Sequence, residues 1–303
     1  MATGEFELIE HYFAHCQEQS SPIDRSIDTG IGDDAAVLRL RPGSRLYSEA
    51  ALVSDADWRS LPADALAAHT LVALITRCYC RQRQPHWYTL NLALHAPDSG
   101  WLQAFSNGLS ACNHYYGLRL VGGDTTSGKD SVLLRLFATD HAAPHSSARP
   151  STQHDTDSTQ LVYLTGYPGV AALARGDLEH RYPLQFQREQ LLNAYFSPRV
   201  EPAWLVLLQQ FATAAETLQQ GLNTAVTSLT ARTNRAFDIE LPSPPVAQDI
   251  LKNLESWQLP REILMQSAEI ALICFTIPSA RQAAMLEFAA RHRLQPVYIG
   301  ESV

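Results

Sequence analysis

Lysine is nearly absent from this 303-residue chain: of its 23 basic residues only Lys129 and Lys252 are lysines. That scarcity argues against a Walker-type glycine–lysine phosphate loop, and so against one large class of kinases. Cysteine is scarce and odd in number, with Cys16, Cys78, Cys80, Cys112 and Cys274 scattered along the chain. With no signal peptide, that set predicts reduced thiols and a cytoplasmic protein. Cys78 and Cys80 read as half of a metal site, but no second Cys or His pair stands at zinc-ligand spacing. No apolar run reaches about 18 residues, the length a membrane span needs. Positive charge is also short: a net charge of −8 argues against a general nucleic-acid binder. What is present is 46% hydrophobic and 18% charged residues, the composition of a soluble protein with a sizeable core.

Pattern divides the chain into two parts. A helix is expected over 5–16, where Phe6, Ile9, Phe13 and Cys16 share a face, and a strand over 35–40. A helix at 64–79, a strand at 87–94 and a helix at 101–115 follow. Two strands, "LRLVGG" and "SVLLRLFAT", then flank a predicted turn "GGDTTSGKD". Residues 141–159 are rich in Pro, Ser, Thr and His, and read as a linker between a domain of residues 1–140 and one of residues 160–303. The second part offers strands at "QLVYLTG", "AFDIELP", "EIALICFTIP" and "PVYIGE". Its helices are expected after "YPGV", at 186–196 and 200–220, in "PPVAQDILKNLESWQ", and in "SARQAAMLEFAARHR" with Ser279 as cap. Strands alternating with helices in both halves predict an α/β or α+β architecture.

Two stretches carry chemistry. "TGIGDDAAVL", 29–38, sets Asp33 and Asp34 side by side before an apolar run, although adjacent carboxylates repel and aspartate is a poor strand former. "LVGGDTTSG", 120–128, repeats the logic of glycines, an aspartate and small hydroxyls. Amides at Gly122 and Gly123 can approach phosphate oxygens, while Asp124 can hold a divalent cation. Either stretch alone also reads as a solvated glycine–aspartate turn.

In order along the chain, "GEFELIEHYF", "GIGDDAAVL", "WLQAFSNGLSACNHYYGLRLVGGDTTSG", "VYLTGYPGVAALA", "FSPRVEP", "CFTIP" and "IGE" resemble thiamine-monophosphate kinase, from residue 4 to residue 301. The resemblance implies the two-domain fold of the aminoimidazole ribonucleotide synthetase superfamily, in which the N-terminal sheets of two subunits close a dimer barrel. It implies transfer of the γ-phosphoryl of ATP to thiamine monophosphate with Mg2+ bridging clustered aspartates and phosphates. On that footing Gly122, Gly123, Asp124 and Thr125 are expected to line ATP. Asp34, Asp124 and Ser48 are expected at the metal, Asp57 and Glu269 at the substrate, and a homodimer as the assembly. No residue is assigned to catalysis itself.

The same comparison exposes departures. Where the family has Ser-Thr-Asp, this chain has Ser48, Glu49 and Ala50, and by strand alternation Glu49 should face the other side. The family's His-Phe becomes Asp57-Trp58. The helix that carries Asn-Leu-Ser-Asp reads "LITR", putting Thr76 or Arg77 at the aspartate position. "NTAVTSLTARTNRAFDIELP" has no carboxylate before Asp238, "QSAEIALICF" keeps only Glu269, and the family's last segment beyond "YIGES" is missing. The sequence thus predicts a family member with catalysis weakened or lost. The alternative is a non-catalytic regulatory protein that binds a nucleotide or thiamine phosphate. Asp34 and Asp124 either still hold one magnesium or persist as turn residues of the fold.

Overall fold

The computed structural model describes residues 10–16, 26–31, 36–54, 61–96, 98–140 and 158–303. The fold is α/β, and it divides into two compact units, Met1–Cys78 with Arg83–His141 and Tyr79–Gln82 with Ala142–Val303. No helix among the described residues is long and apolar enough to cross a membrane.

In the first unit a short ribbon pairs β1 (Ile27–Thr29) with β2 (Val37–Leu38). There follow β3 (Leu46–Ser54), α1 (Ala63–Cys80), β4 (Gln84–Leu94), α2 (Ser99–Tyr116), β5 (Arg119–Ser127) and β6 (Ser131–Thr139). The sequence states where α2 begins and ends: the Asp98 side chain accepts from the Trp101 amide at 2.6 Å, and Gly117 closes the helix in the left-handed conformation. The two helices approach closely at Gly108, where a Cβ would stand 2.4 Å from the Asp64 carbonyl oxygen.

The four long strands form one sheet in the order β3-β6-β4-β5. All its pairs are antiparallel except β4 with β5, which are joined through α2 and run parallel. Alternation gives the sheet two unlike faces. Tyr88, Leu90, Leu92 and Leu94 of β4 and Val132, Leu134, Leu136 and Ala138 of β6 are buried. Their neighbours Asn91 and Arg135 are exposed, as is Leu52 on β3. One face therefore makes the core and the other lies open within the unit.

The second unit holds β7 (Gln160–Leu164), α3 (Val170–Leu178), α4 (Arg188–Phe196), α5 (Ala203–Phe211), β8 (Ala214–Thr217), α6 (Leu222–Thr233), β9 (Phe237–Ile239), α7 (Gln248–Ser256), β10 (Ile273–Pro278), α8 (Gln282–Arg291) and β11 (Val297–Ser302). Its antiparallel sheet runs β8-β10-β7-β11-β9. Leu173, Leu191, Leu229 and Ile250 pack with Val162, Cys274 and Ile299 on one face. On the other, Tyr163 stacks on Phe275, which meets Trp204 of α5. The helix expected over 200–220 is interrupted: α5 stops at Phe211 and β8 takes up Ala214–Thr217. Alanine favours helix in isolation, but pairing of Ala214–Thr217 with β10 overrides that preference. Ser279 does not cap α8 either; it opens a 3-10 turn whose side chains give no cap hydrogen bond.

Candidate functional site

The segment Gly122–Thr125 is strand, not turn. Thr89, Leu90, Asn91 and Leu92 of β4 pair in parallel with Gly122, Gly123, Asp124 and Thr125, and the chain turns only after Ser127. There the Gly128 amide donates to the Leu94 carbonyl at 3.1 Å and the Asp130 carboxylate accepts from the His95 amide at 2.8 Å. Gly123 to Lys129 has the glycine–lysine spacing of a phosphate loop, but strand precedes it and strand follows it, with no helix N-terminus to receive phosphate. One extra residue, Val121, stands between the paired Leu120 and Gly122, a bulge that re-aims the rest of this edge strand.

The two glycines are there for different reasons. Gly123 has φ +148, and a Cβ on it would lie 1.7 Å from the Leu90 carbonyl oxygen, so β4's backbone forbids any side chain. At Gly122 the nearest atom to such a Cβ would be Ala36 Cβ at 3.8 Å, ordinary contact distance. That contact also brings the end of "TGIGDDAAVL" beside "GGD". Asp34 and Asp57 themselves lie outside the described residues. By alternation Gly122 and Asp124 face the open side with Thr89 and Asn91, whereas Thr125 opposes Leu92 on the helix side. The expected set of four thus splits between two faces. Asp124 is exposed.

Ser48 lies on β3, at the opposite edge from Asp124. Three strand spacings separate them, roughly 14 Å along the sheet, so the sheet does not bring these two expected metal ligands together. Ser48 and Ala50 share the open face with Phe137 and Arg135, while Glu49 opposes the buried Leu136 on the helix side. The altered positions do meet one another. Arg77, near the end of α1, donates from Nη1 to the Ala50 carbonyl at 3.3 Å. Thr76 is fully buried and its hydroxyl donates to the Val72 carbonyl at 2.7 Å, an intrahelical bond. Arg77 is therefore the residue that reaches β3. Burial pushes the neighbouring Cys78 thiol up to about 12, with Glu49 adding to the rise and Arg77 opposing it, so this sulfur stays protonated.

Glu269 belongs to the second unit and is 6% exposed. Its Oε1 accepts from the Gly169 amide at 2.7 Å, the Ala171 amide at 3.2 Å and the Ser267 hydroxyl at 2.6 Å. The two amides lie at the start of α3, and the carboxylate serves as that helix's N-terminal cap. This placement gives Glu269 a structural role within the second unit. The carboxylate-poor run after Gly221 is α6, where Thr224, Thr227 and Thr233 turn their hydroxyls back onto carbonyls four residues earlier.

Sequence reasoning missed Arg135. It stands exposed in the middle of β6, its Nη1 3.4 Å from Ser48 Oγ. The available signal was a single charge inside "SVLLRLFAT", at the parity of Leu133 and Phe137.

Magnesium fits these residues poorly. Among the described residues no group of three or more His, Cys, Asp or Glu side chains could hold a metal ion. Asp124 offers one carboxylate at one edge, and guanidiniums flank Ala50 at the other.

Comparison with known proteins places this geometry. Residues 32–139 match the family model for AIR synthase related protein, N-terminal domain. The solved thiamine-monophosphate kinase from Stenotrophomonas maltophilia K279a shares the fold with a TM-score of 0.79 at 24% identity, over 100% of this chain and 95% of that one. A structure of AaThiL complexed with AMPPCP and TMP aligns with a TM-score of 0.71 at 17% identity, over 99% and 90% of the two chains. Thiamine-monophosphate kinase of Salmonella typhimurium is 30% identical, with 94% of this chain and 86% of that protein covered. A likeness of that extent, carried from end to end on one fold, makes this chain a member of the thiamine-monophosphate kinase family.

Proposed function

We propose that this chain is a thiamine-monophosphate kinase homologue in which phosphoryl transfer from ATP is weakened or lost. The carrying observation is the Arg77 guanidinium on the Ala50 carbonyl, 3.3 Å away. The resemblance assigns metal-ligand carboxylates to both positions. Phosphoryl transfer is driven by positioning and by neutralising charge on the phosphates, for which the family uses Mg2+. A fixed guanidinium repels a divalent cation where carboxylates would gather it. The test is a coupled ADP-release assay with Mg-ATP and thiamine monophosphate. Each missing charge-stabilising contact typically costs about two to three powers of ten in rate, so turnover should be negligible. A kcat near about 1 per second, within the ordinary enzyme range, would overturn this reading.

Nucleotide binding is the part of the activity that the exposed strand edge at Gly122–Thr125 supports, as in the relative solved with AMPPCP. A regulatory protein that binds nucleotide or thiamine phosphate is the second reading, favoured by the exposure of Asp124. Calorimetric titration with Mg-ATP and then thiamine monophosphate separates it from an inert fold. The assembly proposed is a homodimer: among the described residues β3 is an edge strand, and it exposes Leu46 and Leu52 at 45% and 68%. Light scattering should report twice the chain mass at micromolar concentration, and a monomer there would count against it.

A further inference from the structure

The start of the described chain is held to α2 by buried polar groups. Residues 10–16 end in a 3-10 turn, Ala14–Cys16, and both Phe13 and Cys16 are buried. Two side chains of α2 grip the backbone of this segment. The Ser106 hydroxyl donates to the Tyr12 carbonyl, and Asn113 Nδ2 donates to the Cys16 carbonyl at 3.0 Å. The Cys16 thiol completes the contact, 3.8 Å from the Ser106 carbonyl oxygen. Ser106 and Asn113 are themselves buried. The grip leaves two groups behind it unsatisfied. A carbonyl can only accept, so Asn113 presents its nitrogen to Cys16 and turns Oδ1 away. Next to Asn113 stands the Tyr88 hydroxyl of β4, which burial keeps protonated and therefore a donor. Tyr88 is fully buried, yet neither its hydroxyl nor Asn113 Oδ1 makes a hydrogen bond among the described residues. Leaving a buried donor and a buried acceptor unpaired side by side is costly, and one turn of the Asn113 amide would pair them.

We propose that residues 10–16 are a releasable strap, and that Asn113 bonds the Cys16 carbonyl when the strap is docked and the Tyr88 hydroxyl when it is released. Docking gains the burial of Phe13 and Cys16 and the Ser106 bond, and leaves Tyr88 unpaired. Release exposes the strap and lets the Asn113 amide turn its oxygen to the phenol. Each state satisfies a group that the other leaves open, which keeps the two close in free energy. Docked, the strap ties the chain ahead of β1 to α2; released, it does not. The plainer reading is a permanently docked segment, with Tyr88 unpaired in every folded state.

The experiment is labelling of the full chain with N-ethylmaleimide in native buffer, the modified cysteines being read by peptide mass spectrometry, for wild type, Ser106→Ala and Tyr88→Phe. Cys16 reports opening of the strap, and Cys112, buried on α2, reports opening of the core behind it. In wild type Cys16 should label faster than Cys112. Ser106→Ala removes a bond made only in the docked state, so Cys16 should label about threefold to tenfold faster relative to Cys112. Tyr88→Phe removes a partner that only the released state uses, so Cys16 should label about threefold to tenfold more slowly relative to Cys112. A permanently docked segment predicts instead that Tyr88→Phe slows both cysteines alike and raises the urea midpoint. An unchanged Cys16-to-Cys112 ratio in Tyr88→Phe overturns the proposal whatever the urea midpoint does. So does wild-type Cys16 that labels no faster than Cys112, or a ratio that Ser106→Ala leaves unmoved.

Discussion

Asp124 and Glu269 are the two acidic residues of the expected site that fall within the described residues, and their surroundings are opposite. Glu269 is buried and fully engaged, with two amides and a hydroxyl converging on one oxygen. Asp124 is exposed on an edge strand. The sheets behind them differ in the same sense: the second unit's sheet is packed on both faces, while the first unit's has one packed and one open face. A carboxylate held by helix amides contributes to folding, and one exposed on an edge strand contributes little. The resemblance treats the two alike; their environments do not.

The contrast predicts a ranking of substitutions. The largest effect belongs to Gly123→Ala, where a methyl must displace the β4 backbone at a φ that L-residues avoid. We expect a loss of about 3 kcal/mol or more in urea unfolding, and a loss below 1 would show that β5 can shift freely. Next comes Glu269→Ala, which leaves the α3 amides and Ser267 without an acceptor. A cost of about 2–3 kcal/mol is expected from lost capping and unpaired buried donors. Stability equal to wild type would show that the carboxylate is not what holds the start of α3. Asp124→Asn should change stability by less than about 0.5 kcal/mol while weakening Mg-ATP binding in calorimetry. Unchanged binding would make Asp124 a bystander. Smallest is Gly122→Ala, where the added methyl meets only Ala36, and a shift within about 0.5 kcal/mol is expected. A large loss there would mean that the two glycines are equivalent after all.

Much of this was legible in the chain. The helices around α1 and α2 and the strands β4, β6, β7 and β10 follow from apolar spacing, and Asp98 and Gly117 mark the ends of α2. What misled was local chemistry outvoted by distant partners. Two glycines and an aspartate read as a turn, yet a parallel neighbour some 30 residues earlier holds them extended. Ala214–Thr217 reads as helix until β10 is there to pair with it. The capping role of Glu269 depends on amides about 100 residues away, which no spacing rule connects. Arg77 was visible as a departure, but only the fold chooses it over Thr76.

The close approach of Gly123 to Leu90 bears on how homologues of this chain are sorted. That glycine has no freedom to drift, because β4's backbone bars every replacement whatever the protein does. A scan that scores the Gly-Gly-Asp signature therefore measures inheritance of the sheet rather than retention of kinase activity.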